Sequence, residues 1–400
     1  IAIVGAGIIG MTNAILLLEN DFKVTVFSKD KPLETNSDAA VATWYAPDDS
    51  KPFLQQCCLE SLSEFYEIIK KEPLSGVEII SEILYFSDEE AFKKSVWAKE
   101  TLKKLVNLSN PPTQQIKISE FPFSVLVHVP LINPTIYRSF MLEKFEKLGG
   151  KLNIKKVASL DELTDTYDIV INSAGWEAKY LTQDSSVHPV RGQTETMRMT
   201  KDFKNDYSLN IEALSAYIVF RPSSFDCVAG TTYQMGDSYK GIRETDKQEI
   251  FKKVSAFFPS IKGVEAVSKA GIRCERSDVR IETEEGDNAG KKSLIVHCYG
   301  HGGSGFSASW GSAFKVLEHC KSFSMNPNFG HYLVFFDLLF FFRYWVLRLK
   351  GLKLVFVSYM SKFSIIFIYF AKRIEKGKNN NSIDTIKTQD VNMWYMNSSR

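Results

Sequence analysis

At 400 residues the chain exceeds one ordinary domain, so two interleaved domains, or one domain with additions, are expected. Hydrophobic residues make up 44%, charged residues 24%, and Gly plus Pro 36 of the 400, which excludes a disordered or fibrous chain. The net charge of +2 hides a split: residues 324–400 hold 11 Lys and Arg against four acids, whereas residues 1–323 hold 38 against 43, and this mildly acidic body argues against a nucleic-acid binder.

Residues 1–4 (IAIV) read as a short buried strand, with no basic region or cleavage site of a signal peptide. The missing initiator Met suggests a fragment or an imperfect gene model. Gly5, Gly7 and Gly10 follow at GxGxxG spacing, then an apolar helix pattern over 8–19 and a second strand over Lys23–Phe27. This βαβ opening reads as a dinucleotide site. The stretch Gly5-Ala6-Gly7-Ile8-Ile9-Gly10 lets the backbone approach a pyrophosphate at the helix N-terminus. Asp30 lies where an acid would accept a ribose hydroxyl, with Lys29 as the alternative at that position.

Residues 53–70 and 89–107 read as helices. So does the segment carrying Tyr137, Phe140, Met141, Phe145 and Leu148, which Gly149-Gly150 closes. Tyr167–Ser173 is a strongly apolar strand ending at Ala174-Gly175. Residues 193–285 mix strand-like runs such as Ala216–Phe220 and Val279–Glu282 with turns. Arg273, Arg276 and Arg280 cluster there, and one arginine of such a group can clamp a carboxylate bidentately. Leu294–Tyr299 is a third buried strand, running into Gly300, Gly302, Gly303 and Gly305 and then a helix over Ser307–Lys321. Backbone approaches a ligand closely at such a loop, and the helix N-terminus suits an anion developing on a flavin ring. His297 and His301 read as structural. Strand–glycine–helix units therefore open, interrupt and close the body, the layout of one α/β domain split by another.

The six cysteines form no CxxC, so free thiols are expected and neither a disulfide framework nor a metal site. Beyond Phe323 the composition changes abruptly. Residues 332–349 and 353–370 are very apolar but interrupted by Asp337, Arg343 and Lys362, and ten of the 29 Phe fall in the last 77 residues. A membrane hairpin and translated non-coding sequence compete, the second being favoured because central charges oppose spanning by about 2.5–3.5 kcal/mol each.

Six stretches carry a family resemblance: IVGAGIIG at 3–10, TNSDAAVATWYAP at 35–47, YDIVINSAG at 167–175, HPVRGQ at 188–193, GIRCERSDVRIETE at 271–284 and HCYGHGGSGFSASWG at 297–311. In order and spacing they resemble the FAD-dependent D-amino-acid oxidases and D-aspartate oxidases, over residues 1–321. The resemblance implies an α/β (α+β two-domain) fold. A Rossmann-like FAD-binding domain (1–47, 150–192 and 286–323) would interleave with a mixed-sheet substrate domain (48–149 and 193–285), followed by an atypical tail at 324–400. It implies that Arg276 clamps the substrate α-carboxylate, that Tyr217 also holds it, and that the carbonyl of Gly303 accepts from the α-amino group. Thr35, Asn36, Ser37 and Thr43 would bind the flavin pyrophosphate and ring, Val157 the adenine, and Gly302, Gly303, Ser304, Gly305, Phe306 and Ser307 the isoalloxazine edge.

The implied chemistry is hydride transfer from the substrate α-carbon to FAD, which needs no nucleophile or acid–base pair, with reoxidation by dioxygen to give peroxide. The sequence departs from the family at several points. Ala213 stands where a second active-site tyrosine is expected, Tyr233 where aspartate-type enzymes carry an arginine, and Cys274 and Ser277 where prolines are expected. Tyr233 leans the pocket towards neutral D-amino acids. The alternatives are a D-aspartate or glycine/sarcosine-type oxidase, or an FAD-binding pseudo-oxidase. A NAD-dependent dehydrogenase is disfavoured because the second glycine loop would have no task. The expected partners are a D-amino acid and dioxygen, with no nucleic acid, membrane contact only through a genuine tail, and a homodimer left open. The C-terminus, Asn397-Ser398-Ser399-Arg400, lacks a Ser-Lys-Leu address, so cytoplasm and peroxisome both stay open.

Overall fold

The apolar runs that read as strands assemble into two sheets in the computed structural model, which describes residues 1–325 apart from 48–49, 96, 102, 104, 106–113, 119–120, 201–206, 212–215, 231 and 289–290. The first sheet contains β1 (Ala2–Val4), β2 (Thr25–Ser28), β6 (Lys151–Ile154), β7 (Ile169–Asn172), β14 (Arg280–Asn288) and β15 (Lys291–Tyr299). Its order is β14-β15-β7-β1-β2-β6, and all pairings are parallel except the β14–β15 hairpin. Parallel strands are covered on both faces and so read as unbroken apolar runs. Here Ile3, Val26, Ile171 and Val296 pack on one face, and Ala2, Val4, Val170 and Ile295 on the other.

Helix Ile8–Leu18 crosses from β1 to β2 and is buried over most of its surface between the helices Pro134–Lys147 and Ser309–Ser324, which explains its lack of a polar face. Two glycines of the first motif serve this packing. Gly5 has φ +108°, and a Cβ there would sit 2.3 Å from the Ser173 carbonyl oxygen. A Cβ at Gly10 would sit 1.9 Å from the Gly5 carbonyl oxygen, so the helix lies on the turn only because both are glycine.

Among the described residues the second sheet contains β3 (Val77–Phe86), β4 (Gln114–Ile118), β5 (Phe121–Ile132), β8 (His188–Arg198), β9 (Ser208–Ile211), β10 (Ala216–Arg221), β11 (Asp226–Gly230), β12 (Gln234–Met235) and β13 (Ala266–Glu275). Its order is β12-β8-β11-β10-β9-β3-β5-β4, with β13 added on β8. One face carries Ile80, Leu84, Val127 and Val219. The other carries Ile83, Tyr85, Leu209 and Ile218 beneath helix Glu244–Val254. The chain returns to the first sheet at Arg280, ahead of the expected boundary at 285, because Arg280 to Asn288 pair continuously with Tyr299 to Lys291.

The helix expected over 89–107 is interrupted. Helix Glu89–Lys94, capped by Asp88, ends at Ser95, whose extended backbone (φ −70°, ψ 157°) swings buried Trp97 edge-on against Trp44 and Tyr45. All six cysteines are free and buried. The apolar runs 332–349 and 353–370, on which the membrane expectation rests, lie outside the described residues; among the described residues no helix is long and apolar enough to cross a membrane.

Candidate active site

A cavity of about 690 Å³ runs from the carboxyl ends of β1, β2 and β7 to the face of the second sheet. That is where doubly wound sheets bind nucleotides, and the volume suits a cofactor with a small substrate. At its first end lie Gly5, Ala6, Gly7, Ile8 and Ile9. Gly7 precedes the helix, whose first N–H, that of Ile8, donates to Ser37 Oγ at 3.0 Å. A Cβ on Gly7 would stand 3.2 Å from that same oxygen. Gly10 does not line the cavity; its role is the packing just described.

Lys29, Asp30 and Val157 line the same end. Lys29 is ion-paired with Glu177, and Asp30 lies 4.0 Å from Lys29 and 3.6 Å from Lys240, so both candidates for the ribose position border the cavity.

The loop at Thr35, Asn36 and Ser37 forms one wall. Thr35 and Asp38 make a reciprocal capping box over the short turn Asn36–Ala39. Buried Arg138 holds this loop to the glycine turn. Its Nη1 donates to Thr35 Oγ1 (2.6 Å) and Asp38 Oδ2 (2.8 Å), and its Nη2 to the Ala6 carbonyl (3.1 Å). Burial raises the Asp38 carboxyl, and Arg138 pulls it back down. The sequence reading missed Arg138; its signal was a charged residue beside Tyr137 on an apolar helix face. Asn36 Oδ1 accepts from the Ile272 N–H (3.1 Å), joining the loop to β13.

Thr43 pairs with Leu131 as an isolated bridge and lines the cavity, with its hydroxyl buried and unpartnered. The Trp176 indole N–H borders the cavity in the same condition. Buried polar atoms rarely go unbonded, so orphans that face one cavity point to a polar ligand.

The second glycine loop closes the far side. Gly300 (φ +95°) and Gly302 (φ +54°) adopt left-handed backbone, and the Gly302 N–H donates to the Cys274 carbonyl at 2.7 Å. Gly302, Gly303, Gly305, Phe306 and Ser307 line the cavity, whereas Ser304 does not. Ser307 Oγ accepts from the Tyr45 N–H (3.0 Å). Burial lowers His301 to about 3, and its Nε2 lies 3.0 Å from Ser312 Oγ, so it is a neutral structural residue.

At the end of the cavity formed by the second sheet, Tyr217, Gly303 and Arg273 come together. A Cβ on Gly192 would meet the Arg273 guanidinium at 2.4 Å, and one on Gly230 would meet the Tyr217 hydroxyl at 2.2 Å, so two glycines make room for these side chains. Burial raises the Tyr217 phenol, while Arg273 acts to lower it. A Cβ on Gly303 would lie 3.9 Å from Arg273 Nε and Cδ. Arg273 Nη1 donates to the Thr232 carbonyl (3.2 Å), and its guanidinium lies 5.6 Å from the centroid of the Tyr233 ring. Among the described residues no carboxylate pairs with Arg273, although it lines the cavity.

Arg276 is placed differently. It does not line the cavity. Its Nε donates to Asp184 Oδ2 (3.1 Å) and its Nη1 to the Asp278 carbonyl (3.0 Å). Burial would raise the Asp184 carboxyl, but hydrogen bonds from Ser186, Tyr299 and Arg276 outweigh it and hold Asp184 at about 2. Asp278 caps helix Pro52–Lys71 through the N–H groups of Phe53 and Leu54, both at 3.0 Å, and Glu275 pairs with Lys51. Residues 276–278 thus form a structural corner just beyond the end of β13, and the clamping role expected of Arg276 does not fit its place. Arg280 is bonded to Tyr299 Oη (2.7 Å) in the same network. Ala213 lies outside the described residues.

A pyrophosphate-type glycine turn, a strand-end cavity and a second glycine loop across it define a dinucleotide-dependent enzyme. The pattern of the FAD dependent oxidoreductase family (DAO) matches residues 1–318, so the chain belongs to this family and FAD is its cofactor. The chain is 28% identical over 319 residues to a D-amino-acid oxidase of Rubrobacter xylanophilus, covering 78% of this chain and 92% of that protein. It is 26% identical over 329 residues to the D-aspartate oxidase of Homo sapiens, covering 80% and 93%. Among solved structures, glycine oxidase from Geobacillus kaustophilus shares the fold, with a TM-score of 0.64, 17% identity and coverage of 80% and 94%.

Proposed function

We propose that the protein catalyses the oxidative deamination of D-amino acids whose side chains are not acidic. The balance is D-amino acid plus dioxygen plus water to 2-oxo acid, ammonia and hydrogen peroxide. The observation that carries this reading is the Arg273 guanidinium, free of any described carboxylate, beside Tyr217 and Gly303 in the cavity. A planar fork of donors matches a carboxylate in distance and tilt, and the Tyr217 hydroxyl adds a third donor.

Bound FAD supplies the acceptor for the hydride that leaves the α-carbon. The chain's own residues bind and orient. Arg273 and Tyr217 hold the α-carboxylate, the Gly303 carbonyl accepts from the α-amino group, and together they fix which hydrogen faces the cofactor. The buried strands β3, β9 and β10 exclude water from the other side. Gly7, Ser37, Thr43 and Trp176 hold the cofactor through the glycine turn and the orphaned donors described above.

Tyr233, where the resemblance implies an arginine for an acidic side chain, is half-exposed outside the cavity lining and adds no cation beside Arg273. A substrate side-chain carboxylate therefore gains no second positive partner there, and burying it unpartnered is costly. Purified protein should be yellow, bleach under anaerobic D-alanine or D-methionine, and form peroxide in air, with D-aspartate much poorer in kcat/KM. FAD-loaded protein that no D-amino acid bleaches would overturn the reading.

A further inference from the structure

Glu82 is a carboxylate that this function does not use. It lies on β3 with Ile80 and Leu84 on the same face, by strand alternation, and is 3% exposed. It lines the cavity with Asn210, Tyr217 and Val219. Its neighbours offer little to a charge. Val127 stands opposite on β5, and Ser208 opposite on β9. His128 is turned to the other face, bonded to Ser81 at 3.2 Å. Tyr217 lines the cavity from the same sheet and Arg273 from β13; the cavity's other charged lining groups are Lys29, Asp30, Lys155, Lys156 and Glu177, with His301 neutral. Only burial and a hydrogen bond with the Asn210 side chain act on the carboxyl, and burial raises it to about 8. Among the described residues no lysine or arginine pairs with it.

A buried carboxyl group with neutral neighbours and no described cation paired with it costs stability wherever it must ionise. Its position does make sense if a ligand brings the missing cation. Arg273 fixes one end of the substrate, and Glu82 is a second group lining the same cavity that carries the opposite charge once it ionises. Rested on the oxidase reading above, we infer that Glu82 is a specificity-determining residue that selects D-amino acids with a cationic side chain, of the D-lysine, D-ornithine or D-arginine type. The side-chain ammonium or guanidinium donates to the carboxylate, while Asn210 holds its second oxygen. An acidic side chain gains no such partner, and where Glu82 is ionised, above about pH 8, it meets a like charge as well.

The experiment uses the FAD-loaded full chain and its Glu82→Gln variant, which keeps shape and hydrogen bonding but removes the charge. Two neutral–cationic pairs are compared. D-norleucine and D-lysine are compared by the rate of flavin bleaching. Hexanoate and 6-aminohexanoate, neither of which can be oxidised at an α-amino carbon, are compared by calorimetric affinity. A charge-assisted hydrogen bond predicts that wild type favours the cationic member of each pair by about tenfold to a hundredfold. The preference should shrink to about twofold or less in Glu82→Gln. It should also grow from about pH 6 to about pH 9 in wild type alone, because the carboxyl must ionise to bind the cation. Equal affinity for the two members of each pair in wild type, or a preference that survives in Glu82→Gln, overturns the inference. Bleaching by D-norleucine without any preference for D-lysine would leave the oxidase reading intact while removing the role of Glu82. Bleaching by no D-amino acid would remove the oxidase reading, and the calorimetric pair would still report on Glu82.

Discussion

The two ends of the cavity are built by different means. At the cofactor end, contiguous backbone does most of the work: Gly5 to Ile9 turn from β1 into a helix, and one loop, from Thr35 to Ser37, faces them. At the end proposed for the substrate, the polar groups are single side chains on separate strands: Glu82 on β3, Tyr217 on β10 and Arg273 on β13. A backbone site is written locally in the chain, whereas a side-chain site exists only once strands pair in a particular register. At the first end a Cβ on Gly5 would strike backbone and one on Gly7 would crowd Ser37, whereas at the second end single side chains can be exchanged at the cost of substrate recognition.

The sharpest test of that contrast is Gly7→Val. Any side chain there crowds Ser37 and the space at the helix N-terminus, so the variant should fold but purify without yellow colour; an unchanged FAD absorbance would break the assignment of the turn. Next is Arg273→Ala, which should keep its FAD and melting temperature but lose about 3–5 kcal/mol of transition-state stabilisation, a hundredfold or more in kcat/KM. Arg273→Lys should lie between, because the charge remains while the fork is lost. Wild-type bleaching rates in both variants would return the clamp to another residue.

A smaller effect is expected in pH dependence. Glu82 is raised from 4.5 to about 8 in the folded chain, so between those values the folded state holds a proton that the unfolded state has released. Stability should fall as pH rises through this window, by at most about 1.4 kcal/mol per pH unit, and level off above about 8. Glu82→Gln should flatten that slope in thermal unfolding, and parallel curves for the two proteins would contradict the burial of the carboxyl. Smallest is Arg276→Ala. Loss of the partly exposed pair with Asp184 should lower the melting temperature slightly and change kcat/KM by less than about 1 kcal/mol. A large drop in flavin reduction with normal stability would exchange the roles of Arg276 and Arg273.

The sequence alone carried the βαβ opening, the two glycine loops and the strands read at 1–4, Tyr167–Ser173 and Leu294–Tyr299, because each is a local pattern of apolar run, glycine and helix. Cofactor and family followed from those segments. Tertiary structure decided which arginine meets the cavity. Arg273 and Arg276 stand three residues apart across the end of β13, so the first lies in the strand over Gly192 and the second turns away to Asp184. It also decided that Glu82 of β3 faces the interior, since strand alternation names two faces without saying which of them another layer will cover. Arg138 became a tie between loop and turn for the same reason: its partners Thr35 and Asp38 lie about a hundred residues away and meet it only when helix Pro134–Lys147 packs beneath the glycine turn.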